Sequence, residues 1–210
     1  MMNKNLKLLI MLCVLSLGNI FSRSSSIGYC TDSSGNIQRS GNVRNGSIRK
    51  GDPIYDGDKI ITGNDGRVAF LNTYKRSIVN IYENSVVRVF EHKNEDDSFS
   101  EVALFGGKVI IEMRKERDES RLTLVSPTAI ATGLGTHFMA EYKDEVLYEN
   151  ISYCIFTVLS GRLNVENIKS SQVIVLGEGE TIISTRSGKF LKLDTFRDKS
   201  GILNTLSKTN

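Results

Sequence analysis

A short motif recurs four times along the chain and restricts what this sequence can fold into. Each copy places a glycine before a lysine or arginine, and apolar residues then follow two positions apart. Residues two apart lie on the same face of a β-strand, so the motif predicts a turn glycine, a solvated basic residue and an inward-facing apolar pair. The copies are DGRVAFLN from Asp65, GGKVIIEM from Gly106, SGRLNVEN from Ser160 and SGKFLKLD from Ser187.

The spacing of these copies distinguishes between all-β architectures. Successive motif glycines are 41, 54 and 27 residues apart, whereas a strict solenoid keeps one fixed period. The chain has 18 glycines but only two prolines, which suits many short strands with glycine turns, and no convincing interior helix pattern occurs. We therefore predict an all-β fold of stacked short antiparallel strands and hairpins, forming an irregular β-roll, a β-solenoid-like fold or a jelly-roll sandwich.

Two glycine-containing stretches give this prediction its detail. The run from Leu124 to Tyr142, LVSPTAIATGLGTHFMAEY, is interpreted as two strands joined by a crossing of small residues. The pair Gly106-Gly107 lies between two alternating apolar runs and is interpreted as the turn of a hairpin.

The first 26 residues have the pattern of a secretory signal. Met1 to Lys7 is basic and Leu8 to Phe21 is apolar, at about the length of a signal core and too short to span a bilayer comfortably. An uncleaved anchor and a buried strand are the alternatives. We expect residues 1–26 to be the signal, 27–196 the β domain and 197–210 a polar tail, with no transmembrane span in the mature chain.

The net charge of +3 comes from the signal region. Lys4, Lys7 and Arg23 lie in the first 26 residues, which contain no acid, so the rest of the chain has 24 basic and 24 acidic residues. A neutral mature protein offers no basic face, and we expect no nucleic-acid partner.

Two cysteines remain after the signal, which contains Cys13. An oxidising compartment permits Cys30 and Cys154 to pair, and a disulfide closing so long a loop would contribute about 4 kcal/mol. The alternative is two separate thiols, with Cys154 buried in a strand from Ile151 to Leu159.

Metal and nucleophile chemistry has little support in the sequence. The two histidines, His92 and His137, have no closely spaced His or Cys partner of the kind a zinc site needs. A Ser126, His137 and Asp144 triple can be written down, but no G-x-S-x-G nucleophile motif accompanies it.

The acidic and aromatic residues also have simpler explanations than catalysis. Glu91, Glu101, Glu112 and Glu141 alternate with apolar residues, so a solvated sheet face explains them better than a glycosidase pair. The acidic run from Glu95 to Asp97 lacks the spacing of a calcium loop. Tyrosines that remain candidates for a sugar-stacking platform are Tyr55, Tyr74 and Tyr82. We predict no enzyme activity, no catalytic residue, no cofactor and no bound metal.

Several segments taken together resemble the FecR-type domain of bacterial periplasmic proteins. Those segments are GDPIYDGDKIITGNDGRVAFLN from Gly51, FGGKVIIEM from Phe105, VSPTAIATGLGTHFMAEY from Val125, FTVLSGRLNV from Phe156 and VIVLGEGETI from Val173. The residues that carry the resemblance are expected to be structural: Gly51, Asp52, Gly66, Gly107, Pro127, Gly135, Thr136, Phe138 and Gly161. Leu134 departs from the family, which often has arginine there.

The resemblance implies a periplasmic, secreted or cell-envelope location. The best-known members of the family are sensors that act on a sigma factor through a cytoplasmic segment, for which we expect no room here because nothing precedes the signal region. Three hypotheses follow: a non-enzymatic exported binding or scaffold module whose partner is an envelope protein or a surface glycan, a sensor related to sigma-factor regulation of iron uptake, or a small secreted hydrolase.

Overall fold

A computed structural model describes residues 26–73, 76–93, 98–114, 121–133, 135–144 and 152–193. Within these ranges the chain forms 17 β-strands, and the all-β prediction is confirmed. The strands are β1 Ser26–Ser34, β2 Ile37–Ser40, β3 Asn45–Gly46, β4 Pro53–Tyr55, β5 Lys59–Thr62, β6 Arg67–Asn72, β7 Ser77–Ile81, β8 Val86–Lys93, β9 Ser98–Met113, β10 Arg121–Val125, β11 Ala129–Gly133, β12 His137–Lys143, β13 Tyr153–Ser160, β14 Leu163–Asn167, β15 Val173–Leu176, β16 Thr181–Thr185 and β17 Phe190–Lys192.

The strands are arranged in two sheets that share β9. Sheet I has the order β4-β1-β6-β7-β9-β12-β13-β16-β17. Sheet II has the order β3-β2-β5-β8-β9-β10-β11-β14-β15. Neighbouring strands are antiparallel except β9 and β10, which are parallel. Seven consecutive strand pairs in the described ranges are antiparallel hairpins: β2–β3, β8–β9, β10–β11 and β14–β15 in sheet II, and β6–β7, β12–β13 and β16–β17 in sheet I.

Strand β9 corrects one sequence interpretation. Residues 98–106 pair with β8 in sheet II, and residues 107–113 pair with β7 and β12 in sheet I. The predicted hairpin turn at Gly106-Gly107 is therefore wrong, because the chain bends there without reversing. Gly107 has φ 79°, which lets one continuous strand leave sheet II and enter sheet I.

The central stretch contains three strands instead of the predicted two. Strands β10 and β11 form a hairpin in sheet II, with Pro127 in its turn. The chain then passes through residues 133–136 to β12 in sheet I. The extra strand β11 was missed because its buried positions, Ala129 and Ala131, have small side chains that give a weak alternation signal.

One hydrophobic core lies between the sheets. Alternate residues of each strand are buried, and side chains such as Phe70 and Phe138 of sheet I share one cluster with Leu124 and Val165 of sheet II. Complete burial of a side chain of this size stabilises the fold by about 1.5–3 kcal/mol. A smaller cluster of Tyr153, Ile155 and Ile183 is separate from this core.

Some sequence predictions lie outside the described residues. These are residues 1–25 of the predicted signal, Tyr74, the acidic run from Glu95 to Asp97, Leu134 and the polar tail at residues 197–210. In the part of the chain that is described, no helix is long and apolar enough to cross a membrane.

Candidate functional site

The Gly51-Asp52 pair organises a turn next to β1. One Asp52 carboxylate oxygen accepts the backbone N–H of Arg49 at 2.8 Å, and the other accepts from the Arg44 guanidinium at 3.2 Å. The Cys30 backbone N–H donates to the Asp52 carbonyl, and Gly51 N–H donates to the Cys30 carbonyl, each at 2.8 Å. Asp52 thus has partners within its own turn.

The residues around the start of β12 form a second structural joint. The Thr136 hydroxyl donates to the Arg162 carbonyl at 2.6 Å, and Phe138 is completely buried. Gly161 has φ 87°, which disfavours any side chain, and a Cβ placed there would lie in tight contact, 3.0 Å from the Gly135 carbonyl oxygen. This joint holds the crossing between the sheets against the loop before β14.

The remaining motif residues are positioned by backbone packing. A Cβ on Gly66 would lie 2.2 Å from the Asn36 carbonyl oxygen, and one on Gly107 would lie 2.3 Å from Ser85 Oγ. Pro127 is half-buried in the β10–β11 turn. The resemblance residues are therefore distributed over several turns and do not line one pocket.

Both described cysteines are free thiols. Cys30 lies in β1 and Cys154 in β13, and each is buried. The candidate disulfide is not formed, and the alternative of separate thiols describes the structure. Burial raises the pKa of the Cys154 thiol and also that of Cys30. Since the thiolate is the reactive form, neither sulfur is set up as a nucleophile.

The two thiols are expected to react with an aromatic disulfide reagent only after unfolding. In a Cys13→Ser background, native labelling of Cys154 should be at least about a hundredfold slower than labelling in denaturant, because the buried thiol reacts only through opening of the sheet. Labelling kinetics followed by peptide mapping measures this. Rapid native labelling, or a gel mobility that changes on reduction, would contradict the buried-thiol arrangement.

The Ser126, His137 and Asp144 triple is not brought together. Ser126 is buried in the β10–β11 turn, where its hydroxyl donates to the Ala129 carbonyl at 3.0 Å. His137 begins β12 and Asp144 follows its end, so roughly 20 Å of extended chain separates them. Asp144 instead accepts hydrogen bonds from Ser152 and from Tyr142.

The four glutamates occupy different environments. Glu112 is exposed, as expected for a solvated face, whereas Glu141 pairs with Lys143 at 3.1 Å and its side chain is only 13% exposed. Glu91 differs, because it lies two positions after the buried Val89 in β8 and therefore on the same inward face of the strand. Its carboxylate accepts from the Ser100 hydroxyl at 2.5 Å, and Ser100 accepts from the Asn72 amide at 2.9 Å. This chain of hydrogen bonds links sheet II to sheet I.

The two tyrosine candidates in the described residues, Tyr55 and Tyr82, do not form an open stacking platform. The Tyr82 ring contacts the guanidinium carbon of Arg67 at 4.2 Å and the amine of Lys108 at 4.6 Å from its centroid. Tyr55 is half-buried in β4, where its backbone N–H is held by the Asp58 carboxylate at 2.9 Å.

A buried ion pair was not anticipated from the sequence. Arg39 in β2 lies 3.7 Å from Asp58, and their side chains are 1% and 0% exposed. Arg39 also donates to the Pro53 carbonyl at 2.8 Å. Burial raises the pKa of the Asp58 carboxyl, and the Arg39 charge partly opposes that rise. The pair anchors the β4–β5 turn against β2.

The strongest candidate binding surface lies on the outer face of sheet II, at the hairpin of β8 and β9. We call it the aromatic patch, and it consists of Arg88, Phe90, His92, Phe99 and Glu101. The His92 and Phe99 rings stack at 4.3 Å with 16° between their planes, and Phe90 lies 6.2 Å from His92. His92 Nε2 lies 3.1 Å from Glu101 Oε2, and the Arg88 guanidinium lies over Phe90 at 5.4 Å.

Strand register assembles this patch. His92 is directly opposite Phe99, and Phe90 is directly opposite Glu101, so all four side chains point away from the core. His92 retains 41% of its side-chain exposure and Glu101 retains 22%. Phe90 and Phe99 are half-buried. Partly exposed aromatic rings edged by one cation and one carboxylate can contact another macromolecule through apolar and charged groups together.

No group of three or more His, Cys, Asp or Glu side chains in the described ranges is arranged to hold a metal ion.

Comparisons with known proteins give few matches. No protein-family model matches this chain, and no curated protein matches it. Two crystal structures, at 1.65 and 2.50 Å resolution, of a "putative anti-sigma factor" from Parabacteroides distasonis ATCC 8503 are similar to it. Each has a TM-score of 0.49 and 16% sequence identity, and the match covers 64% of this chain and 58% of that one. A likeness of this degree does not establish a shared function.

Proposed function

We propose that this chain is an exported, non-enzymatic binding module of the bacterial cell envelope, and that it docks a partner protein on the aromatic patch. The observation that carries the proposal is the patch itself, where the His92–Phe99 stack lies beside the Phe90–Glu101 cross-strand pair on an outward sheet face. Aromatic residues and arginine are enriched in the energetically dominant parts of protein interfaces.

The geometry favours a protein partner over a glycan. Stacking of His92 on Phe99 covers one face of each ring, whereas a sugar platform needs a freely accessible ring face. The patch also lies on a sheet surface, with Arg88 exposed at its side. A broad surface with apolar rings and charged groups of both signs fits a protein surface with a complementary apolar centre and charged rim.

The envelope location rests on the sequence. The basic and apolar start of the chain supports export, and the FecR-type resemblance supports a periplasmic or secreted destination. The proposal includes no enzymatic activity. In support of this, Ser126, Asp144 and Glu91 are engaged in structural hydrogen bonds.

The docking proposal is tested with charge reversal at the patch. Arg88→Glu should weaken binding of the envelope partner by about tenfold or more, because it places a carboxylate beside Phe90 and Glu101. The partner is identified by cross-linking in intact cells, purified, and titrated against the variants by calorimetry. Lys192→Glu, at an exposed position of sheet I, is the matched control and should bind as the wild type does.

Two outcomes would count against the proposal. Equal affinity of the Arg88→Glu and Lys192→Glu variants would exclude the patch as the docking surface. Recovery of the full-length protein in the cytoplasmic fraction would exclude the envelope location. If Arg88→Glu lowers the melting temperature and Lys192→Glu does not, the weaker binding of Arg88→Glu is explained by a folding defect. Phe90→Ala then provides the second test of the same surface.

A signalling role is the second candidate function, favoured by the FecR-type motifs spread over most of the described chain. In that case the partner would be a transporter or a membrane-bound regulator. A gene for a sigma factor or a TonB-dependent receptor beside this one supports the role, and envelope pull-downs that recover neither kind of protein oppose it.

A further inference from the structure

Strand β15 presents an apolar edge at one end of sheet II. In the described part of the chain it pairs with β14 on one side only. Val173 and Val175 are 58% and 59% exposed, the highest exposures among the large exposed hydrophobic side chains. Edge strands of soluble proteins usually have lysine, proline or a bulge as protection, but the segment SQVIVL from Ser171 to Leu176 has neither a charged residue nor a proline.

The hydrogen bonds of β14 determine which backbone groups face this edge. Asn167 N–H donates to the Gln172 carbonyl at 2.9 Å, so the Gln172 backbone points toward β14. Backbone groups alternate along a strand, and Ile174 and Leu176 therefore also point toward β14. The N–H and C=O groups of Val173 and Val175 point toward the open edge.

We propose that a second copy of this chain pairs with β15 in antiparallel orientation, about a two-fold axis at Ile174. This register places Val173 opposite Val175 of the second copy, and Val175 opposite Val173. The four outward-pointing N–H groups of the two strands then donate to the four outward-pointing carbonyls. The valine side chains of both copies lie on the same outer face, and the two Ile174 side chains meet on the inner face.

Shifting this register by one residue is unfavourable, because each exposed valine would then lie opposite an inward-facing residue of the other copy. The two-fold arrangement is isologous, which means that the same β15 edge of each copy forms the interface. No unpaired β15 edge is left over, so the assembly closes as a dimer.

The charges beside β15 favour the same arrangement. Lys169 precedes the strand, and Glu178 and Glu180 follow it, all three exposed. Antiparallel pairing brings the beginning of one strand to the end of the other. Lys169 of each copy therefore faces the two glutamates of its mate, whereas a parallel pairing would place like charges together.

The inference goes beyond the proposed function, because β15 is at the end of sheet II and the aromatic patch is on its face. Sedimentation of the purified chain over a wide concentration range is expected to show a monomer–dimer equilibrium. Val175→Lys should raise the dimer dissociation constant by about tenfold or more, because a lysine at the edge resists strand pairing. Val43→Lys, at a similarly exposed valine between β2 and β3, should dimerise as the wild type does.

Cysteine trapping tests the register. In the proposed dimer the two Ile174 Cα atoms are about 4.5 Å apart, within disulfide range, so Ile174→Cys should form a disulfide-linked dimer on mild oxidation. The two Val175 Cα atoms are roughly 8 Å apart, and Val175→Cys should not cross-link to itself. The wild-type chain under the same oxidation is the background control.

The two proposals fail separately. A wild-type chain that stays monomeric at every concentration overturns the β15 dimer, even if Arg88→Glu weakens binding of an envelope partner. Equal trapping of Ile174→Cys and Val175→Cys overturns the register. A monomeric chain that loses a different protein partner through Val175→Lys would show that this edge recruits a foreign strand, and it also overturns self-association.

Discussion

Replacing Gly107 with alanine is expected to destabilise the fold by about 2–5 kcal/mol, the sum of a backbone and a packing effect. Gly107 has φ 79°, where a side chain is strained. The added Cβ would also lie 2.3 Å from Ser85 Oγ, 2.5 Å from Ser85 Cα and 2.6 Å from the Asn84 carbonyl oxygen. Two of these neighbours are backbone atoms, so relief requires movement of the whole β7–β8 turn.

Gly179→Ala separates the two effects. Gly179 has φ 78°, almost the value at Gly107, but nothing lies within 4 Å of its Cβ position. Its replacement should cost only the backbone strain, about 1–2 kcal/mol. Urea titration of both variants and the wild type gives the free energies of unfolding.

The comparison determines what holds the shared strand. Equal losses for Gly107→Ala and Gly179→Ala would mean that the contact with Ser85 is unimportant and that β9 does not depend on this close approach. A much greater loss of unfolding free energy at Gly107 would show that the bend of β9 between the two sheets is rigid. Ser85 contributes to this bend through its hydroxyl. The hydroxyl accepts from the Lys108 N–H at 2.9 Å and donates to the Lys108 carbonyl at 3.2 Å.

Many of the strands were predictable because their residues alternate around the main core. Arg67–Asn72 and Ser77–Ile81 alternate buried and partly exposed residues without interruption, so period-two patterning indicated them. The path of the chain at Gly106-Gly107 was not predictable. A glycine with positive φ serves a hairpin turn and a strand bend equally well, and the choice depends on Ser85, which is 22 positions earlier.

The aromatic patch was missed for a related reason. Phe90 and His92 alternate visibly on one strand, but their partners Phe99 and Glu101 are determined by the register of β8 with β9. A register one residue different would place Phe99 on the inner face. The sequence contained the residues of the patch but not their pairing.

A clearer sequence signal existed for the buried ion pair. Ile37 and Arg39 occupy alternate positions of β2, so a buried isoleucine predicts a buried arginine on the same face. A buried guanidinium needs a carboxylate partner, and several aspartates of the segment DPIYDGD from Asp52 are candidates. Alternation could therefore have identified Arg39, while the choice of Asp58 required the tertiary structure.

Arg39→Met is expected to cost about 3–5 kcal/mol at neutral pH, because it leaves the Asp58 carboxylate buried without its counter-charge. The exposed pair of Arg44 and Asp52 provides the matched control, since those side chains are 52% and 26% exposed at an N–O distance of 3.2 Å. Arg44→Met should change the free energy of unfolding by about 1 kcal/mol or less. Similar losses in the two variants would contradict a structural role for the buried pair.

The pH dependence of this loss follows from the direction of the Asp58 pKa shift. Burial raises the pKa of Asp58 above its ordinary value, and loss of the Arg39 charge removes an opposing influence and raises it further. A carboxyl with a raised pKa in the folded state binds its proton more tightly there than in the unfolded chain, so stability falls as pH rises from the unfolded pKa to the folded one. The penalty of Arg39→Met should therefore be small near about pH 4 and grow toward neutral pH.

The double variant Arg39→Met/Asp58→Asn completes the test. Asparagine keeps an oxygen for the Tyr55 N–H, which Asp58 accepts at 2.9 Å, but it carries no charge. It should restore most of the stability lost in Arg39→Met at neutral pH and remove the extra pH dependence. Urea titrations at acidic and neutral pH measure both effects. If the double variant is as unstable as Arg39→Met, the loss comes from packing of the arginine side chain and its bond to the Pro53 carbonyl, and the buried charge is not its cause.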